Sequence, residues 1–349
     1  MTSAVSRVIA ETGYLRRPRL LDPDAAQHKE WLHFCVLGDE AEVIVNYSLM
    51  GDLRAGAPRG AEAARLTILA RAPLPSHAWE GDVEIVPPGA VRARAGRIDA
   101  TFGDSRVAFE DGAFVVQAAL SDRRVAADLR LRPVTLPLFR PNTFLGGAPI
   151  HWLVVARLLA SGTVTLGDRT YRFEDAPAYH DHNWGKWRWG HDFSWSWGFG
   201  LPVEEEAPWS LVFTRLVNRG RTKDLGHALF LWKGEAQARI FQEGELTVRP
   251  SGYLQRDRVP KFPSVMGLVS PETSTDVPAR FDLAAEAHGD AVRCGFEAED
   301  VAQIIVPSET DLGLTIINEV SGRVSLDGRI AGERVAMEGR AFFEFLTAG

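Results

Sequence analysis

Apolar and polar positions alternate along most of the chain. Val43, Val45, Tyr47 and Leu49 alternate with Glu42, Ile44, Asn46 and Ser48. Val125, Ala127, Leu129 and Leu131 alternate with Arg124, Ala126, Asp128 and Arg130, and Val164 and Leu166 with Thr163 and Thr165. A period of two buries one face of a β-strand and wets the other. Turn signals punctuate these runs at Gly38-Asp39, Asp111-Gly112, Gly167-Asp168 and Asp327-Gly328. Gly and Asp tolerate the positive φ of tight hairpin turns. Helical periodicity is scarce, and short helices are expected only over Ala61–Leu69 and part of Phe262–Val269. Short strands with 32 Gly and 20 Pro among them predict an all-β chain of antiparallel sandwiches or barrels.

The pattern repeats once. Trp31-Leu32-His33-Phe34 is followed by a polar break at Gly38-Asp39-Glu40 and the strand from Val43. Trp195-Ser196-Trp197-Gly198-Phe199 is followed by Glu204-Glu205-Glu206 and a strand from Trp209. The hairpin signal Val164–Asp168 has a later counterpart in Val324–Gly328. Both offsets are roughly 160–165 residues, which suits two consecutive β domains. Glu204–Glu206 then reads as a hairpin tip. The boundary falls near residue 190, giving domains 1–190 and 191–349, and a site at the end of the first domain would face their junction.

Composition narrows the function classes. The chain has 349 residues, 45% apolar and 24% charged, as in a globular protein. Its formal charge is −7, and it has no dense basic cluster, which argues against nucleic acid as a partner. Cys35 and Cys294 stand far apart and read as two buried thiols of a reducing cytoplasm. The N-terminus shows no signal-peptide pattern, and no run of 18 apolar residues marks a membrane span. The expected location is cytoplasmic, with peripheral membrane contact and oligomeric state left open.

One stretch concentrates the candidate chemistry. Six of the 10 Trp fall between 184 and 209, and three of the nine His between 180 and 191. If Tyr179–Trp184 is extended, Tyr179, Asp181 and Asn183 share one face, and His180, His182 and Trp184 the other. A carboxyl in an apolar, Trp-rich cavity is pushed toward its neutral form and could donate a proton to an alkene or carbonyl. Aromatic faces would stabilise the resulting cation by about 0.5–2 kcal/mol each. Trp152, Trp184, Trp189, Trp195 and Trp197 could supply them, and a neighbouring imidazole such as His182 could accept a proton. The plainer alternative is a polar latch, with Asp181 and Asn183 bonded to backbone at a strand end. His180 and His182 could also share a metal ion, with a third ligand from His151, His191, Asp192 or His227. A third alternative is an apolar pocket that carries a hydrophobic molecule without chemistry. His151-Trp152 is a second candidate pair on a neighbouring strand, and His33 beside Trp31 a further one. No nucleophile elbow and no phosphate-binding glycine loop appears.

Tyr179-His180-Asp181-His182-Asn183-Trp184-Gly185, followed by Trp187–Gly190, resembles the signature of the AttH/hydroxyneurosporene-synthase family. Glu30-Trp31-Leu32-His33-Phe34 resembles the opening of that family's first barrel, with Leu32 and His33 departing from it. The resemblance implies two lipocalin-like β domains and cofactor-free chemistry on hydrophobic isoprenoids or polyenes. It implies Asp181 as proton donor to a C=C bond, Tyr179 as its hydrogen-bonding neighbour, and His151 and Trp152 as upstream site residues. Carotenoid hydratases, tocopherol-cyclase-like proteins and fungal Diels–Alderases are among the family's relatives. The last work by shaping a folded polyene. His182 and Trp184 depart from the hydratase pattern.

Overall fold

The structure is a computed structural model that describes residues 4–16, 27–50, 64–72, 78–145, 148–188, 193–204, 207–255, 259–269, 277–307 and 313–348. The chain divides into two compact units, Met1–Trp187 and Arg188–Gly349. Apart from short helices, of which α1 is Ala4–Thr12 and α2 is Met266–Val269, both are built of β-strands.

The first unit runs β1 (His28–Leu37), β2 (Glu42–Met50), β3 (Ala64–Arg71), β4 (Glu80–Ile85), β5 (Val91–Ala93), β6 (Asp99–Phe102), β7 (Ser105–Glu110), β8 (Ala113–Ala119), β9 (Val125–Pro133), β10 (Leu138–Leu145), β11 (Ala148–Leu166) and β12 (Arg169–Lys186). They form one sheet in the order β4-β3-β2-β1-β12-β11-β9-β8-β7-β6-β5, with β10 beside β11. The long β11/β12 hairpin thus returns to lie against the first strand. The core takes Leu32, Phe34 and Val36 of β1, Val45 and Tyr47 of β2, and Leu153 and Val155 of β11. The α1 helix adds Val5 and Ile9 to it.

The second unit runs β13 (Ser194–Pro202), β14 (Trp209–Val217), β15 (Asp224–Lys233), β16 (Ala236–Gln242), β17 (Leu246–Ser251), β18 (Lys261–Phe262), β19 (Arg280–Ala287), β20 (Asp290–Pro307), β21 (Leu314–Ile330) and β22 (Glu333–Ala348). Its order, β16-β15-β14-β13-β22-β21-β20-β19-β17, repeats the plan of the first. Four strands are laid down in sequence, and the last hairpin closes on the opening strand. Pairing is antiparallel except for the two-residue β18 beside β20. The chain is therefore all-β, as the period-two pattern predicts.

Three turns fall where the sequence signals them. Gly38-Asp39 links β1 to β2, Asp111-Gly112 links β7 to β8 with φ of 50° and 77°, and Gly167-Asp168 links β11 to β12. Two expectations are overturned. Ala61–Leu69 is not a helix: from Ala64 the chain is strand β3, and 61–63 lie outside the described residues. Leu66, Ile68 and Ala70 enter the core at a period of two, and pairing with β2 and β4 overrides alanine's helical preference. Asp327-Gly328 is not a turn either. It lies inside β21, and the chain reverses at Ala331-Gly332, where φ is 49° and 81°. With that change the two closing hairpins stand at the same offset as Trp31 and Trp195. The short helix expected within Phe262–Val269 is α2. Glu204–Glu206 connects the antiparallel pair β13/β14, with Glu205 and Glu206 outside the described residues.

Candidate functional site

The β12 strand is exposed in part near its turn but is buried from Ala178 to Gly185, with Asn183 half-buried. Burial of both faces explains why this run carries ionisable and aromatic groups without the usual polar alternation. Register sets the neighbours. Asp181 stands opposite His33 of β1 and Val154 of β11. Asn183 stands opposite Trp31 and Trp152, and Tyr179 opposite Cys35. Cross-strand partners share a face of the sheet, so one face gathers Tyr179, Asp181, Asn183, Trp31, His33, Cys35 and Trp152. The other face carries His180, His182 and Trp184 toward the core.

On the first face Asp181 is bonded to neutral donors. Tyr179 donates its hydroxyl to Oδ2 at 3.0 Å, and the Trp152 indole N–H reaches the same oxygen at 3.4 Å. The Asn183 amide donates to Oδ1 at 2.9 Å. Burial pushes the Asp181 carboxyl up to about 7, against the opposing pull of hydrogen bonds from Tyr179, Trp152, Trp31 and Asn183. The shift amounts to about 4 kcal/mol in favour of the neutral acid. These donors cannot reverse it, but they are already aimed at the oxygens on which charge appears once the proton leaves.

His33 is the imidazole that shares this face. The Asn46 amide N–H donates to its Nδ1 at 3.2 Å, Ser48 donates to Asn46 Oδ1 at 2.7 Å, and His33 Nε2 lies 3.0 Å from Cys35 Sγ. Burial pushes His33 down to about 3, so it adds no positive charge beside Asp181. Cys35 and Cys294 are both free and buried.

On the opposite face His180 stacks on Phe34, with ring centres 4.3 Å apart, and directs Nδ1 to the His33 carbonyl at 2.9 Å. His182 directs Nε2 to Glu30 Oε1 at 2.7 Å. The backbone N–H of Arg16 donates to both Glu30 oxygens, at 2.7 and 2.9 Å, and His28 lies 3.4 Å from Oε2. Burial would raise Glu30, but hydrogen bonds from His182 and His28 outweigh it and hold the carboxyl below its usual range. Burial holds His182 down despite Glu30. The pair is thus a carboxylate bonded to a neutral imidazole. Trp184 stacks on His151 at 5.1 Å, under the Arg16 guanidinium at 3.8 Å. Burial and Arg16 together lower His151.

The predicted site residues therefore divide. Asp181, Tyr179, Asn183 and Trp152 come together on one face. His182, Trp184 and His151 gather on the other. Trp195 and Trp197 are buried on β13 in the second unit, where Trp195 donates to Glu344. Trp189, His191 and Asp192 lie outside the described residues. His227 directs Nε2 to the carbonyls of Glu243 and Leu246. Among the described residues no group of three or more His, Cys, Asp or Glu side chains could hold a metal ion. A groove of about 700 Å³ on the first unit, lined by Asp128, Arg130, Thr163, Arg172 and Asp175, lies toward the Gly167-Asp168 end of β11 and β12 and includes none of these site residues. Sequence reasoning missed Glu30, Asn46 and Ser48, and gave Trp31 no role as a donor. A signal existed in Trp31-x-His33, whose parity matches that of Tyr179-x-Asp181-x-Asn183.

No family model matches the chain, and no curated protein matches it in sequence. Solved structures match it in fold. A Nitrosomonas europaea protein provisionally named AttH superposes with a TM-score of 0.65 at 12% identity, over 96% of this chain and 98% of that one. Kievitone hydratase from Nectria haematococca gives 0.59 at 9% identity, over 97% and 94%. CghA with Sch210972 gives 0.57 at 13% identity, over 92% and 88%. At these identities the likeness establishes a shared fold, the fold of the AttH-like proteins that the Tyr179–Gly190 segment resembles.

Proposed function

We propose that the protein is a cofactor-independent enzyme that hydrates or cyclises a hydrophobic isoprenoid or polyene, with Asp181 as the proton donor. The observation that carries this reading is the buried carboxyl of Asp181, raised to about 7 and surrounded by neutral donors. In the first step the Asp181 O–H bond breaks and its proton joins one carbon of a C=C bond. The electron pair of the O–H bond stays on Asp181, and the other carbon becomes cationic. Tyr179, Asn183, Trp152 and Trp31 receive the new carboxylate charge as hydrogen-bond donors. The indoles of Trp31 and Trp152 offer π faces to the cation. Water adds to the cation, or a second double bond closes on it. The surplus proton then returns to Asp181 and restores the acid. Kievitone hydratase, which shares the fold, is by name a hydratase, and this supports a lyase or cyclase class.

The test is incubation of the protein with a panel of acyclic isoprenoids and polyenes in D₂O, followed by mass spectrometry. Acid initiation places one solvent deuterium on carbon, and Asp181→Asn abolishes turnover while sparing binding. A cyclised product without deuterium, formed equally well by Asp181→Asn, would establish pericyclic shaping instead. Ligand bound and recovered unaltered would establish a carrier.

A further inference from the structure

Among the described residues, two buried imidazole nitrogens of the first unit have no hydrogen-bond partner, and they lie two residues apart on one face of β12. His182 Nε2 is 2.7 Å from Glu30 Oε1, and a carboxylate can only accept, so Nε2 carries the hydrogen and Nδ1 is a lone pair. His180 Nδ1 is 2.9 Å from the His33 carbonyl, which also only accepts, so His180 Nε2 is a lone pair. No donor among the described residues reaches either nitrogen. Both side chains are fully buried. Burial lowers the proton affinity of both rings, so neither lone pair is filled by self-protonation.

A buried acceptor left without a donor costs about 1–3 kcal/mol, and native interiors seldom carry two side by side. The rings cannot turn away. His180 is held between Phe34 and Phe114, with ring centres at 4.3 and 4.4 Å. His182 is held by Glu30 and by Trp184, whose ring centre lies at 4.6 Å. Same-face neighbours on a strand are about 6.6 Å apart at Cα, so the two rings stand side by side on the core face of β12. What is required is a molecule with two hydrogens to give and no net charge, small enough for an apolar interior.

We propose that the first unit binds one water molecule beside β12, which donates one O–H to His180 Nε2 and the other to His182 Nδ1. A hydroxyl-bearing ligand has a single hydrogen to give and would leave one nitrogen bare. An ammonium would bring a charge into a site walled by Phe34 and Phe114. The site lies on the opposite face of β12 from Asp181, so this water is not the one consumed in the proposed hydration, and the two proposals stand or fall separately.

The experiment joins a high-resolution crystal structure, with crystals soaked in cobalt, to ¹⁵N NMR of histidine-labelled protein. The expected result is a single density peak at about 2.7–3.1 Å from both nitrogens, with no anomalous signal, and imine-type ¹⁵N resonances shifted upfield as for hydrogen-bonded acceptors. Resonances of free lone pairs with no density between the rings would overturn the proposal. So would an anomalous peak, which would make the pair a metal site.

Discussion

Glu344 stands to Trp195 as Asp181 stands to Trp31. Trp31 lies two residues before His33, the strand partner of Asp181, and its indole donates to Asp181. Trp195 lies two residues before Trp197, the strand partner of Glu344, and its indole donates to Glu344. Each carboxyl sits on the last strand of its unit and each indole on the first. The duplicated plan therefore preserves a side-chain bond as well as a strand order. Glu344→Leu removes the acceptor from a buried indole N–H and is expected to cost about 1–3 kcal/mol. Glu344→Gln keeps an acceptor oxygen and is expected to cost less. Urea unfolding of both variants checks the order, and equal losses would show that the indole bond contributes nothing.

The raised Asp181 carboxyl makes stability depend on pH. Its folded value of about 7 lies above the ordinary aspartate value of 3.8, so between about pH 4 and 7 the folded protein holds a proton that the unfolded chain releases. The stabilisation from that proton is fully present below the unfolded value and is lost as pH rises through 7. Asp181→Asn has no such titration. Relative to the parent, the variant is expected to gain about 2–3 kcal/mol between pH 5 and pH 8. Denaturant curves at the two pH values measure it. A difference that does not change with pH would mean that Asp181 ionises like an exposed carboxyl.

Glu30 closes the opposite face. Its two oxygens accept from His182, from His28 and twice from the Arg16 backbone. Glu30→Ala strands those donors in a buried site, and a loss of about 3–5 kcal/mol is expected. Glu30→Gln retains one acceptor oxygen, and a loss near half of that is expected. Urea midpoints of the two variants decide it, and a small loss in both would mean that water replaces the carboxylate.

How far the fold was legible follows from which signals are local. The parity of Tyr179, Asp181 and Asn183 is a property of one extended strand, and the structure joins those three side chains through Asp181. Glu30 and Trp31 lie some 150 positions earlier, and only the β1/β12 pairing brings them to His182 and Asp181. No local pattern encodes that register. Ala61–Leu69 misled because alanine's helical preference is weak beside two flanking strands. The repeat was visible because it is carried by Trp31 and Trp195, large side chains on equivalent opening strands.

Asp327-Gly328 misled for a reason that can be tested. The glycine is needed, but for close packing of strands rather than for reversal of the chain. A Cβ at Gly328 would stand 2.2 Å from the Ala291 carbonyl oxygen and 2.7 Å from Val292 Cα, both backbone atoms of β20. At the actual turn, Gly332 has φ of 81° and open space around its Cβ position. Gly332→Ala thus meets only the conformational cost, about 1 kcal/mol. Gly328→Ala must also push two paired strands apart, and about 2–3 kcal/mol is expected. Thermal melts of the two variants separate a glycine used for its φ alone from Gly328, where a φ of 157° and the missing side chain are both needed. If Gly332→Ala proved the costlier, the close approach of β21 to β20 at Gly328 would be looser than these distances state.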